Sequence, residues 1–142
     1  MTRDLTRLPD WRARFAAEME RQRRIPFKWG GHDCFLGMVS GSVKAITVAD
    51  IGRVWRGRYR SERKAAAVLV EDGFASLGDL MASLLPEQPP AFARVGDIGT
   101  VKHGGDVGEA LCIVDAGSVI VMTAEGHGRR PREDMIRAFK VG

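Results

Sequence analysis

The side chain best placed to do chemistry is Cys34, which closes the string Phe27-Lys28-Trp29-Gly30-Gly31-His32-Asp33-Cys34. A thiol becomes a strong nucleophile when its pKa falls, and a helix N-terminus favours the thiolate through its free N–H groups and dipole. Gly30 and Gly31 break the chain before Cys34, and a helical apolar pattern begins after it, so the thiol is expected at such a terminus. The glycines also permit close approach of a substrate to the backbone, where an N–H beside Cys34 could bind an oxyanion. The alternative role is packing, because a free cysteine on an apolar helix commonly serves as a small buried hydrophobe. Asp33 reads as the cap of that helix, with a simple turn acid as the alternative. Cys34 and Cys112 form neither a CxxC pair nor a disulfide framework, so both are expected as reduced thiols. No metal-ligand cluster or phosphate-binding glycine loop stands in the sequence, and neither metal nor cofactor is expected.

Several elements must position that thiol. From Pro9 to about Arg24 the apolar residues Trp11, Phe15 and Met19 recur every four positions, the stripe of an amphipathic helix. Pro9 suits its first turn, and Arg21, Arg23 and Arg24 suit the negative end of its dipole. Beyond Cys34, the residues Phe35, Met38, Val39, Ser42, Val43 and Ile46 fall on one helical face, which predicts a central buried helix. A loop around Trp55 to Tyr59 leads to Ser61 as the cap of a third helix that stops at Gly73. Ser76 with Asp79 reads as a capping box for a short fourth helix that Pro86 ends. Trp11, Trp29 and Trp55 are expected to pack in the core, with partner anchoring as the alternative.

The stretch Pro86-Glu87-Gln88-Pro89-Pro90 divides a helical half, about 1–86, from a strand-rich half, about 91–142. The β-rich runs are 95–101, 109–114, 118–124 and 135–141, separated by turns at 103–106, 115–117 and 125–128. Asp97, after a glycine at a strand entrance, is expected to bond backbone groups. The pattern predicts an α+β fold in which N-terminal helices precede an antiparallel β-meander, as one domain over 1–142.

Composition narrows the function. A length of 142 residues has room for one domain, and 44% hydrophobic with 28% charged residues matches an ordinary soluble chain. No apolar stretch approaches the roughly 18 residues of a membrane span, and the N-terminus has no apolar core like that of a signal peptide, so cytoplasmic synthesis is expected. The net charge of +4 invites a nucleic-acid reading, but the arginines are interleaved with acids along the chain rather than gathered, which argues against it.

The string Trp29-Gly30-Gly31-His32-Asp33-Cys34 resembles the WG-x-DC signature of NlpC/P60 cysteine peptidases, and Arg94-Val95-Gly96-Asp97-Ile98 resembles the glycine-aspartate strand of the same families. The order of these two strings, the segment Trp55 to Ala65 and the terminal Arg137-Ala138-Phe139-Lys140-Val141 is similar to the DUF6950 group of small phage proteins. The resemblance implies a papain-like fold, a nucleophile at Cys34 and a place in a phage or prophage tail module. In active NlpC/P60 enzymes a histidine near the start of the strand after the glycine-aspartate strand is the general base. Here that run is Glu109-Ala110-Leu111-Cys112-Ile113-Val114, and Ala110 takes the position of the base. Without it the thiol–imidazole pair cannot form.

His103, His127 and His32 are the available substitutes, each with an alternative as a solvated loop residue, and Glu109 could replace an imidazole only with a strongly raised pKa. Ala110 and Cys112 share a strand face, and papain-like packing would bring Cys112 near Cys34 in the core. Two functions follow from the resemblance. One is a structural or assembly component of a tail tip or baseplate, made in the host cytoplasm and carried in the virion, that binds other tail proteins or cell-wall peptide. The other is a working cysteine peptidase or amidase acting on cell-wall peptides through Cys34.

Overall fold

Phe35, Met38, Val39, Ser42, Val43 and Ile46 are all buried in the computed structural model, which describes residues 4–104 and 108–142. Met38, Val39, Val43 and Ile46 have 0% exposure, and each such side chain contributes roughly 1.5–3 kcal/mol relative to a solvated position. The segment that carries this face starts as a π-helical turn, Cys34–Val39, and continues as α2, Ser40–Thr47. It packs against α1 (Trp11–Gln22), whose Phe15 and Met19 are buried as the four-residue spacing predicts. The helix begins at Trp11, so Pro9 lies just before it rather than in its first turn.

Helix α3 (Glu62–Glu71) is capped by Ser61, whose hydroxyl accepts the Lys64 N–H at 3.1 Å, and the chain turns out of it at Gly73. Helix α4 (Leu77–Leu84) is capped by Ser76 in the same way, through Asp79 N–H. The Asp79 carboxylate bonds Arg137 on the last strand. The two aromatics of the loop between α2 and α3, Trp55 and Tyr59, are buried: Trp55 packs edge-on against Phe35 and donates to Asp72, which also holds Arg58 with two bonds.

Six antiparallel strands form one sheet in the order β1-β6-β2-β3-β4-β5, so the chain has a mixed α+β fold. They are β1 (Glu87–Gln88), β2 (Ile98–Lys102), β3 (Glu109–Val114), β4 (Ser118–Thr123), β5 (Gly126–Pro131) and β6 (Met135–Phe139). Strands β2 to β5 form a meander, but β6 crosses back to the free edge of β2, with Ile98 opposite Phe139. The physical reason is burial. Residues 98–101 of β2 are all buried, and its backbone polar groups need partners on both sides.

Strand β5 differs from the sequence expectation of a turn at 125–128. Gly-His-Gly-Arg-Arg-Pro has little β propensity, yet it pairs along all of β4 as an edge strand, where charge and proline are tolerated. The short β1 likewise falls inside the proline-rich boundary segment. The turn expected at 103–106 lies partly outside the described residues.

The sheet is apolar on both faces. Ile98, Leu111, Ile113, Ile120 and Phe139 face the helices, while Val101, Cys112, Val114, Val119, Val121 and Ala138 form a second cluster with Ala93 and Met135. The two halves are tied by Asp97, which is fully buried. Its carboxylate accepts from Arg94 N–H, Val141 N–H, Gln88 and Arg7, and Arg7 also donates to the carbonyls of Val95 and Val141. The bond to Arg94 N–H meets the expectation for Asp97, and the pair with Arg7 brings the N-terminal segment onto the strand half.

Removing one member of a buried ion pair leaves the other charge uncompensated, at a cost of roughly 3–5 kcal/mol. The side chains of Arg7 and Asp97 are 7% and 0% exposed, so Asp97→Ala is expected to lower the unfolding free energy in urea by about that amount. A loss below about 1 kcal/mol, the scale of a surface pair, would contradict the structural role.

Candidate functional site

The turn before the central helix is organised by Asp33, which is 1% exposed. Its Oδ1 accepts the N–H groups of Phe35 and Leu36 at 3.0 and 2.7 Å, and its Oδ2 accepts Gly30 N–H at 3.0 Å. Asp33 is therefore the helix cap, and the turn acid at the same time. Tyr59 lies beside Asp33, and burial first, then the Asp33 charge, pushes its phenol pKa up. Gly30 has φ +80°, and a side chain there would run into the Tyr59 carbonyl, so no other residue fits this turn without strain. Met38 N–H reaches back to the Asp33 carbonyl at 3.0 Å, the wide spacing of a π turn.

Cys34 is the first residue of that turn and opens onto a cavity of about 260 Å³. Phe27, Trp29 and Met122 form apolar walls, and His103, Glu62 and Ala110 are also among the lining residues. Trp29 is held edge-on between Phe27 and Tyr59, at centroid distances of 5.2 and 6.5 Å. Part of Cys34 reaches the cavity surface, but the sulfur is densely packed. Burial, reinforced by the negative charge of Asp33, pushes the thiol pKa up to about 12, although backbone hydrogen bonds from Leu111 and from Cys34 itself lower it somewhat. The N–H groups that would stabilise a thiolate at a helix N-terminus already serve Asp33. Cys34 thus stands where the sequence places it, at the start of the central helix, with a thiol pKa raised rather than lowered.

The three histidines separate into two places. His103 lines the Cys34 cavity, with its Nε2 3.9 Å from Glu62 Oε2, and is about half exposed. His127 lies on β5 rather than in a loop, and its Nε2 is 3.0 Å from Gln22 Oε1 on α1. His32 is buried and stacks on His127 at 6.3 Å between ring centres, away from the thiol cavity. Both are held below the ordinary imidazole pKa, first by burial, then for His32 by Arg21 and for His127 by His32. Glu109 stands opposite Lys102 and does not line the cavity.

Cys112 is buried and shares a face with Ala110, as alternation requires. It packs in the second apolar cluster, while Leu111 and Ile113 are the β3 residues that face the helices, and Cys34 is among the smaller influences that raise its thiol pKa. Both cysteines are free. Three residues of these sites were not singled out from the sequence. Gln22, a buried polar residue one turn beyond Met19 on the apolar stripe of α1, carried a readable signal, whereas Tyr59 and Glu62 carried none without knowledge of which loop meets the turn. Among the described residues no cluster of metal-binding side chains is present and no helix is long and apolar enough to cross a membrane.

The site and fold define an α+β protein whose central helix begins, just after its Asp33 cap, with a half-buried cysteine close to an antiparallel sheet. The chain belongs to the family described as Domain of unknown function (DUF6950), which matches residues 6–141. No curated protein matches it.

A thiol with a pKa raised in the folded state holds its proton more tightly there than when unfolded. Its contribution to stability is present in full below the unfolded value and is lost as pH climbs toward the folded one. Cys34 and Cys112 both rise from 9.0 to about 12, so the unfolding free energy is expected to fall across that interval. Cys34→Ser and Cys112→Ser should each remove part of the fall in urea titrations, and an unchanged slope in both would refute the shift. Ala110→His, which places an imidazole on the wall beside the thiol, should raise the iodoacetamide reaction rate of Cys34 at pH 7 by about tenfold or more in a Cys112→Ser background.

Proposed function

We propose that this protein is a structural or assembly component of a tailed-phage tail tip or baseplate, built on a papain-like NlpC/P60-type domain that binds without cleaving. The observation that carries the binding role is the composition of the thiol cavity, where Cys34 is kept protonated and Ala110 stands on the wall in place of an imidazole. The cavity suits a small side chain or a short stretch of peptide, since its walls are apolar and its polar groups few. The occupant would come from a neighbouring tail protein or from cell-wall peptide. The tail location is supported by the ordered motifs from Trp29-Gly30 through Val141, and it implies assembly in the host cytoplasm followed by incorporation in the virion.

A second reading rests on His103. It is the one described histidine on the cavity that holds Cys34, and Glu62 is close enough to orient it. If substrate binding drew its ring toward the thiol, Cys34, His103 and Glu62 would form a nucleophile–base–acid series for peptide or amide hydrolysis.

Complementation separates the two. A phage or prophage deleted for this gene is expected to lose intact tails by electron microscopy, and both Cys34→Ala and His103→Ala should restore tails and infectivity to within about twofold of wild type. Restored tails that fail to infect, with the folded variants present in the particle, would instead establish the hydrolase.

A further inference from the structure

Two walls of the Cys34 cavity come from distant parts of the chain. Phe27 and Trp29 belong to the segment before the central helix, and Met122, Thr123 and Ala124 to the end of β4 and the turn that follows it. Each wall has an imidazole directly behind it. His127 on β5 stands opposite Met122, on the same face of the hairpin. His32 is bridged to Lys28, which lies between Phe27 and Trp29. The two rings face each other at 6.3 Å between centres, with their planes 28° apart.

Gln22 of α1 fastens this contact to the helices. It is fully buried, and its Nε2 donates to Glu18 and to the carbonyls of Gly37 and Met38, which leaves its Oε1 as the acceptor for His127 at 3.0 Å. Neutral His127 therefore carries its proton on Nε2. The arrangement suits neutral rings only. His32 packs tightly against Gly37 and its buried Nε2 has no hydrogen-bond partner, so an imidazolium there would hold an N–H that nothing accepts.

The surrounding charges act in the same sense. Arg21 and Arg23 on α1 and Arg129 on β5 oppose protonation of the pair, and Lys28, Lys44 and Arg56 line the hollow beside His32. Glu18 and Asp33 are the opposing carboxylates among the described residues. Glu18 is already bonded to Arg21 and Gln22, and Asp33 to the N–H groups of Gly30, Phe35 and Leu36.

We propose that the His32–His127 pair is an acid-released clasp on the Cys34 cavity: neutral, the two rings and Gln22 hold the turn against the β4–β5 hairpin, and protonation parts the two walls and opens the cavity. Burial holds both imidazoles below the ordinary value of 6.5. A group whose pKa is lowered by folding contributes its stability in full above the unfolded value and loses it as pH falls through the folded one, so the clasp is closed at neutral pH and weakens in acid. It controls access to the cavity whether that cavity binds or cleaves.

The test is the reaction of Cys34 with 4,4′-dithiodipyridine in the intact protein, in a Cys112→Ser, His103→Ala background that leaves one thiol and only the imidazoles of His32 and His127. At each pH from about 7.5 to 4.5, spanning imidazole titration, the folded rate is divided by the rate in concentrated urea, which removes the thiol's own titration. The ratio is expected to rise about tenfold or more toward acid. His127→Gln, which keeps a donor for Gln22, and His32→Gln should each shrink the rise, and the double variant should abolish it. In the same background without these changes, the amide NMR signals of Trp29 and Met122, one on each wall, should titrate together with the ring protons of His127. A ratio independent of pH, a rise undiminished in the double variant, a rise that coincides with loss of the near-ultraviolet circular dichroism of the whole fold, or titration confined to one wall would overturn the proposal. None of these readouts involves tail assembly or infectivity, so the clasp stands or falls apart from the function proposed above.

Discussion

One buried carboxylate governs the functional end of the molecule. Asp33 takes N–H groups from both sides of itself, from Gly30 in the turn and from Phe35 and Leu36 in the helix. A carboxylate can satisfy that many donors because its two oxygens offer about four lone-pair directions. The bonds fix the entry of the chain into its central helix, and that entry places Cys34 on one side of the turn and His32 on the other. The same turn holds Gly30 against the Tyr59 carbonyl, where a Cβ has no room.

The cap that builds the site also limits its chemistry. An N-terminal cysteine is activated when the helix N–H groups and dipole act on its sulfur, but here a fixed negative charge occupies those groups one residue away. Burial works in the same direction, and together they keep Cys34 neutral. Stability of the turn and reactivity of the thiol therefore compete for the same donors. A cation or an imidazole beside the sulfur would tip the balance, and the β3 residue that lines the cavity is an alanine.

The two-faced sheet explains the remaining placements. Because β3 lies between β2 and β4 with both faces covered, successive residues alternate between two apolar clusters, and neither cysteine is in a position that sequence parity with the other could reveal. Edge strand β5 brings His127 against Gln22 on α1, so a polar network of His32, His127, Gln22 and Glu18 forms where helix and sheet edge meet. It holds two imidazoles that the spacing along the chain would not have joined.

Local patterning was enough to determine the helical stripe from Phe35 to Ile46, the caps at Asp33, Ser61 and Ser76, the strands β3 and β4, and the α+β class, because each depends on side chains within a few residues of one another. The position of Cys34 at a helix start was legible for the same reason. What it does there was not, because its proton affinity is set by packing and by a carboxylate whose hydrogen bonds can be counted only in three dimensions. Tertiary structure alone decided that β6 returns to β2, that a glycine- and arginine-rich segment becomes β5, that Cys112 turns away from the helices, and that His103 rather than His32 shares the cavity with Cys34. The return of β6 depends on pairing with a strand edge far away in the chain, and the other outcomes on how the sheet packs, where the gain is burial and backbone satisfaction rather than local preference.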